Sequence, residues 1–193
     1  EAGTAQEATD LIATNSTERA TPRRFRPLIV PRHPQRFDDV QALAESQGLS
    51  VSRRSSWPAA GPFQSREAMK ADIWLGDSLG EMALFYGLSS VALLGGSFAP
   101  LGGQNLIEAA ACGCPVVMGP HTFNFQEAAE LAEAEGAALR VADVRGGVQA
   151  VLRLINDPAA LTNAAHVSLA FAARSRGATD RTLAALQTYL SGR

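Results

Sequence analysis

The sequence has few cysteines, almost no lysine and no long apolar run. Its two cysteines, Cys112 and Cys114, are too few and too close together for a disulfide framework, so we expect a reducing compartment. Lys70 is the single lysine, and 17 basic residues face 19 acidic ones, which argues against a nucleic-acid-binding protein. No stretch approaches the roughly 20 apolar residues of a membrane-spanning helix, so we expect no direct membrane contact from these residues.

Two nucleotide-binding motifs and the usual metal-ligand patterns are also missing. The chain contains neither the GxxxxGK[ST] phosphate loop nor the GxGxxG dinucleotide fingerprint. His121 and His166 have no metal-ligand spacing with either cysteine, and no Asp-x-Asp pair occurs. The missing Asp-x-Asp pair favours a site that neutralises phosphate with arginine and helix amides instead of a divalent ion, and we expect no metal ion and no other cofactor.

What the chain does contain is a regular alternation of short apolar runs and helical patterns. The 193 residues are 46% hydrophobic, enough for a sizeable core. The alternation predicts an α/β fold with a Rossmann-like, doubly wound parallel sheet of about six strands and helices on both faces. The predicted strands are 28–30, 49–53, 72–75, 90–94, 115–118 and 137–141, and the predicted helices are 5–13, 37–47, 79–87, 105–111, 125–135, 146–156, 158–175 and 179–191.

The remaining segments define the expected domain organisation. Residues 54–66 are rich in proline, glycine and serine and are predicted to form a loop. We expect residues 1–26 to be a weakly ordered segment and 27–193 to be one nucleotide-binding domain, with 158–193 as its terminal helices. Because the chain begins at Glu1 and not at a methionine, we expect it to be a piece of a longer protein.

Glycine and polar side chains follow the predicted strands. In open parallel sheets, ligands bind beyond the carboxyl ends of the strands, so these segments are the candidate site. They are 31–34, 76–81, 95–97, 102–108 and 119–124.

The segment from Gly102 to Glu108 carries the most information. Gly102 and Gly103 allow positive φ and close backbone approach, and the helix starting near Asn105 offers unpaired amides to a phosphate. Asn105 and Glu108 also have the spacing of a capping box, so a simple N-cap is the alternative. The glycines and the strand end favour the ligand, with Glu108 facing sugar hydroxyls.

Arg32 is the best candidate for pairing with a phosphate. Pro31 and Pro34 stiffen the loop around it, so the guanidinium loses little entropy when it binds. A surface salt bridge is the alternative. His33 is expected to orient its neighbours by hydrogen bonding.

Together these segments resemble the C-terminal half of the 3-deoxy-D-manno-octulosonic acid (Kdo) transferases of Gram-negative bacteria, enzymes with the two-domain GT-B architecture. The similarity is carried by the motifs PRHPQRF (31–37), LGDSLGEM (75–82), GGS (95–97), GGQNLIEAA (102–110) and GPHTFNF (119–125).

The resemblance implies a donor-binding domain for CMP-Kdo in an inverting, metal-independent transfer to the lipid A precursor. It implies donor contacts at Pro31, Arg32, Leu79, Gly80, Glu81, Asn105, Leu106, Ile107 and Glu108. His33, Gly102, Gly103 and Gln104 are further candidate contacts beside them. Gln104 departs from the family's usual histidine.

The resemblance also places functions outside this segment. The general base and the acceptor site are expected in an N-terminal domain, so this chain alone should bind CMP without catalysing transfer. The whole enzyme is expected at the cytoplasmic face of the inner membrane. Two other functions stay open: a GT-B donor domain for a UDP-sugar, and a non-catalytic nucleotide-binding module.

Overall fold

The computed structural model describes residues 25–175 and the pair 186–187. The segment expected at 1–26 therefore lies outside the described residues except for Phe25 and Arg26. The helix expected at 5–13 lies outside them too, as does most of that expected at 179–191.

Six short strands and seven helices alternate along the described chain. The strands are β1 (Leu28–Ile29), β2 (Val51–Arg53), β3 (Ile73–Leu75), β4 (Ala92–Leu94), β5 (Val116–Met118) and β6 (Ala138–Arg140). The helices are α1 (Phe37–Ser46), α2 (Arg66–Lys70), α3 (Met82–Leu88), α4 (Leu106–Ala111), α5 (Gln126–Ala134), α6 (Val144–Ile155) and α7 (Pro158–Ser175).

All strand pairs are parallel, which confirms the predicted α/β, Rossmann-like class. The pairing nevertheless gives two three-stranded sheets, β1-β3-β2 and β4-β5-β6, where one sheet of about six strands was expected. The predicted number of strands is confirmed, because each apolar run in the sequence forms one strand. Which strands become neighbours depends on tertiary packing, and the apolar pattern carries no information about that.

Both faces of each sheet are covered, as a parallel sheet requires. In the second sheet, Leu94, Val116 and Met118 pack into the core that includes α4 and α7, and Val117 faces Val151 of α6. This alternation of side chains between opposite faces is the period-two pattern of a strand.

The first sheet is smaller and has its own two cores. One face packs Trp74 against Trp57, with ring centroids 5.1 Å apart, and the other face packs Ile73 against Ala44 of α1. Trp74 also donates a 2.8 Å hydrogen bond from Nε1 to the Ala68 carbonyl. The aromatic side chains therefore fill the volume around strands that are only two or three residues long.

Two of the predicted elements were wrong in detail. The segment 54–66 was expected to be a loop, but it contains short 3-10 turns and runs into the helix α2, whose N-cap is Ser65. α3 begins at Met82 and not at Leu79, because Gly80 has a φ of +77°, which a right-handed helix cannot contain. Among the described residues, no helix is long and apolar enough to cross a membrane.

Candidate functional site

The candidate site lies at the carboxyl ends of the strands, where two groups of loops differ in how they are held. We call Arg53–Ser56 together with Asp77–Glu81 the charged cluster, since ion pairs join these loops. We call Gly95–Ser97, Gly102–Gln104 and Gly119–Asn124 the glycine cluster.

The glycine cluster is fastened by the buried hydroxyl of Ser97. Its Oγ donates to the Leu94 carbonyl at 2.6 Å and accepts from the Gly119 N–H at 2.7 Å. The Ser97 carbonyl accepts from the His121 N–H at 2.9 Å. The loops after β4 and β5 are thereby joined by direct hydrogen bonds in a region closed to water.

Gly102 and Gly103 have the positive φ predicted for them, +89° and +80°. A Cβ on Gly102 would lie 2.2 Å from Nδ2 of Asn124, and one on Gly103 would lie 3.2 Å from the His121 carbonyl oxygen. The close approach that was expected of a ligand is therefore made by the loop after β5. Glycine at these positions is already required by packing within the protein.

Arg140 holds the same loop from the side of β6. Its Nη1 donates to the Gly119 carbonyl at 3.2 Å and to Oγ1 of Thr122 at 3.1 Å, while Nε pairs with Glu133 at 2.8 Å. Sequence reasoning did not single out Arg140, because its partners come from distant parts of the chain.

The start of α4 has the N-cap that was the alternative to a ligand-binding helix end. Asn105 is its N-cap, and the Asn105 side chain accepts from the Ile107 N–H at 3.1 Å. The Asn105 amide donates to Oε1 of Glu108 at 2.9 Å, so the carboxylate bonds the cap side chain instead of the cap N–H. Glu108 itself remains exposed, and Leu106 is buried in the core.

The two clusters are linked through the neighbouring helices α3 and α4. Burial raises the pKa of Tyr86 on α3 to about 12, and the nearby carboxylate of Glu108 on α4 contributes to the rise. Each of the two helices follows a strand, α3 after β3 and α4 after β4.

The charged cluster is built on Asp77, whose side chain is only 5% exposed. Oδ1 accepts from the Ser55 N–H at 2.8 Å, and Oδ2 accepts from the Ser55 hydroxyl at 2.6 Å. Arg53 adds a longer contact of 3.9 Å to Oδ2 and pairs with Asp38 of α1. Asp77 thus fixes the turn after β2 to the loop after β3.

Glu81 is the second carboxylate of the charged cluster and one of the predicted donor contacts. Oε1 pairs with Nη2 of Arg54 at 2.8 Å, and Oε2 accepts a short hydrogen bond from Ser78. The hydrogen bonds from Ser78 and Arg54 hold the pKa of Glu81 below its usual range. Glu81 is therefore an oriented anion at neutral pH.

The segment Gly76-Asp77-Ser78-Leu79-Gly80 also has the G-x-S-x-G spacing of a nucleophile elbow. An elbow holds its serine in a strained turn beside a histidine, whereas here the positive φ falls on Gly80. Ser78 donates to Glu81, and no described histidine hydrogen-bonds it. The serine therefore orients a carboxylate and is not set up as a nucleophile.

Arg32 and His33 are exposed on the loop after β1, and Pro31 is half-buried. In the described part of the chain, the Arg32 side chain has no ion pair or hydrogen bond, so the salt-bridge alternative is not realised there. Gly76, at the end of β3, donates to the Ile29 carbonyl at 2.8 Å, which brings the loop after β1 beside the charged cluster.

The predicted contacts at the other loops are placed differently. Leu79 is 69% exposed, and a Cβ on Gly80 would meet nothing within 4 Å, so this turn is open to solvent. The side chain of Gln104 lies 3.5 Å from where a Cβ on Gly96 would be, inside the glycine cluster.

An open groove of about 720 Å³ lies beside the edge strand β2 and reaches the charged cluster at Arg53, Ser55 and Ser56. Gln41, Ser52 and Lys70 are among its lining residues. No group of three or more His, Cys, Asp or Glu side chains in the described residues could hold a metal ion.

Comparison with known proteins agrees with the motif resemblance. No family model matches the chain. It is 48% identical over 172 residues to the 3-deoxy-D-manno-octulosonic acid transferase of Bordetella pertussis and 34% identical over 164 residues to that of Haemophilus influenzae. These alignments cover 89% and 84% of this chain.

The structural comparison gives the same family. The fold matches the crystal structure of the C-terminal CMP-Kdo binding domain of WaaA from Acinetobacter baumannii with a TM-score of 0.73 and 31% identity. The match covers 89% of this chain and 84% of that domain. The chain belongs to the Kdo transferase family.

The chain spans well under half the length of these two relatives. It spans 38% of the length of the Bordetella relative and 37% of that of the Haemophilus relative. Its structural match is a C-terminal domain, as the motif resemblance predicted. The individual donor contacts transferred from the resemblance stay predictions.

Proposed function

We propose that this chain is the donor-binding domain of a Kdo transferase and binds CMP-Kdo. The observation that carries the proposal is the match, over 89% of the chain, to a domain described as CMP-Kdo binding. The motifs that suggested the family lie in the loops and helix starts that follow the carboxyl ends of the parallel strands, the usual ligand side of such a fold.

The geometry supports a division of roles among the predicted contacts. Arg32 is exposed and has no partner in the described chain, so its guanidinium is available for the phosphate. Glu81 and Glu108 are carboxylates held by side-chain hydrogen bonds, which suits them to accept from sugar hydroxyls. Each charge-assisted hydrogen bond of this kind contributes about 1.5–3 kcal/mol.

The remaining contacts would be made by the main chain. Leu106 is 1% exposed and its side chain belongs to the core, so only its backbone could reach a ligand. Backbone groups or apolar surface would likewise be offered by Pro31, Leu79, Gly80 and Ile107. The further candidate contacts beside them are His33, Gly102, Gly103 and Gln104.

For the whole protein we propose inverting transfer of Kdo to the lipid A precursor without a metal ion. The acceptor hydroxyl attacks the anomeric carbon as CMP departs, and a general base outside this chain takes the proton. Arg32 and the start of α4 would stabilise the charge that grows on the departing phosphate. We place the whole enzyme at the cytoplasmic face of the inner membrane.

Titration calorimetry of the chain with CMP, UDP and AMP tests the proposal. We expect CMP to bind most tightly, with no change on adding EDTA, and no transfer when CMP-Kdo and a lipid A precursor are supplied. Preference for UDP would indicate a donor domain for a UDP-sugar. No binding of any nucleotide, or equal binding of all three, would refute the cytidine assignment.

A further inference from the structure

A residue outside the predicted contacts controls the position of one of them. Glu81 makes two side-chain contacts, to the hydroxyl of Ser78 and to Nη2 of Arg54. Ser78 lies on the same loop as Glu81, whereas Arg54 comes from the turn after β2, 27 residues earlier in the chain. Arg54 is therefore the link that fixes Glu81 relative to the rest of the fold.

Arg54 is itself held for this contact. Its guanidinium carbon lies 5.8 Å from the ring centroid of Trp57, a residue of the core, and its side chain is 23% exposed. Its Nε is buried and has no hydrogen-bond partner among the described residues. Glu81 is thus the only ion-pair partner of this guanidinium in the described chain.

The neighbouring arginine points elsewhere. Arg53 pairs with Asp38 and donates to Gln41, both on α1, and contacts Asp77 only at 3.9 Å. Arg53 is the last residue of β2 and Arg54 begins the 3-10 turn that follows, and the two arginines serve different partners. Arg174 near the end of α7 provides the control for Arg54, because it also pairs with a glutamate, Glu135 after α5, and lies outside both clusters.

We propose that Arg54 is a positioning residue of the donor site: its guanidinium, with Ser78, holds the Glu81 carboxylate in the orientation that meets the nucleotide. The inference rests on the proposed function, because Glu81 is a ligand contact only if the domain binds the donor. Arg54 acts through Glu81 and makes no ligand contact of its own.

The electrostatics give the proposal a pH signature. Ser78 and Arg54 lower the pKa of Glu81, while the charge of Asp77 opposes them. Removing Arg54 should therefore raise the pKa of Glu81 towards its ordinary value. A contact that needs the carboxylate is present above the pKa and is lost as the pH falls through it, so the variant should lose affinity at a higher pH than the wild type.

A double-mutant cycle for CMP affinity tests the positioning role. We expect Arg54→Ala to weaken CMP about tenfold, Arg54→Lys to restore part of the loss, and Arg174→Ala to change affinity less than about twofold. In a Glu81→Gln background, Arg54→Ala should cost almost nothing further. Additive losses would mean that Arg54 meets the nucleotide directly and would overturn the proposal, as would an unchanged affinity for Arg54→Ala.

A second measurement separates this inference from the proposed function. NMR titration of the Glu81 carboxyl needs no nucleotide, and we expect its pKa to rise in Arg54→Ala and to fall back in Arg54→Lys. No rise would overturn the Arg54–Glu81 coupling even if CMP binds. A wild type with the expected titration but no CMP binding would refute the proposed function, and the positioning role with it.

Discussion

The glycine cluster and the charged cluster are held together by different kinds of interaction. The glycine cluster is fastened by glycines that admit close backbone contact and by the fully buried hydroxyl of Ser97. The charged cluster is held by ion pairs and hydrogen bonds between arginine, serine and carboxylate side chains. The side chain of Asp77 is buried, but those of Arg53, Arg54 and Glu81 are 31%, 23% and 31% exposed. Buried contacts of the first kind contribute more to stability than exposed ion pairs do.

The difference suggests a division of labour between the two clusters. A dry, tightly packed loop group has one geometry and provides a rigid wall. An ion-paired group in partial contact with water needs less free energy to rearrange, and its charge is available to a ligand. The variants below separate stability from nucleotide affinity and are ordered from the largest expected effect.

Gly119→Ala should be the most damaging change in the glycine cluster. Its Cβ would lie 2.5 Å from the Ser97 carbonyl oxygen, a backbone atom that cannot move without shifting the loop. We expect a loss of about 3 kcal/mol in the free energy of unfolding, measured by urea denaturation. Gly87→Ala on α3, where a Cβ meets nothing within 4 Å, is the control and should stabilise by about 0.5–1 kcal/mol. Equal effects would show that the glycine cluster is not tightly packed.

Ser97→Ala should cost about 2 kcal/mol, because it leaves the buried Gly119 N–H without its acceptor. Ser46→Ala removes an exposed hydroxyl that donates to the Leu43 carbonyl, and it should cost less than about 0.5 kcal/mol. Urea denaturation of the two variants would measure both losses. If the Ser97 variant were as stable as the wild type, the bridge made by the Ser97 hydroxyl would not contribute to stability.

Arg32→Ala should weaken CMP by about tenfold, or roughly 1.4 kcal/mol, while leaving the midpoint of thermal unfolding unchanged. The reason is that the side chain has no partner in the described chain but is expected to meet the phosphate. Arg153→Ala, an exposed arginine on α6, is the control for charge. An unchanged affinity would make Arg32 an ordinary surface residue.

Arg53→Met should cost only about 0.5–1 kcal/mol of stability, since its partner Asp38 is 88% exposed and screened by solvent. The loss should shrink in about 1 M sodium chloride, where the Debye length is roughly 3 Å. Denaturation at low and high salt measures both. A loss that does not depend on salt would mean that packing, and not charge, holds the charged cluster.

The reactivity of the two cysteines measures how readily the core beside the glycine cluster opens, and it needs no substitution. Burial raises the pKa of Cys114 to about 12, whereas Cys112 is exposed. The thiolate is the reactive form, so at about pH 8 a thiol reagent should modify one cysteine in the native protein and both in denaturant. Rapid modification of both in the native state would show that this core opens readily.

Much of the fold could be predicted from the sequence because its signals are local. Each apolar run became a strand, and the break at Gly48 correctly ended α1. The division into two sheets could not be predicted, since no local pattern specifies which strands pair. α2 was missed because its five residues are too few to show helical periodicity.

The site was predictable where a loop directly follows a strand, and less so where partners are distant in sequence. Gly102 and Gly103 were identified correctly as positive-φ positions, although a protein loop fills the space expected for a ligand. Arg54 and Arg140 were missed because each acts on a segment about 20 residues or more away. A pair of arginines at the end of a predicted strand was the available signal for Arg54.

The central claim is that the nucleotide binds at the carboxyl edge of the strands, between the two clusters. Amide chemical-shift changes in a ¹⁵N-labelled sample titrated with CMP test this location directly. We predict that the largest changes fall on Arg32, Gly80, Glu81 and Asn105, with little change at Lys70. Changes concentrated at Ser50, Glu67 and Lys70, in the part of the groove outside both clusters, with the loops at the carboxyl edge unaffected, would contradict the account.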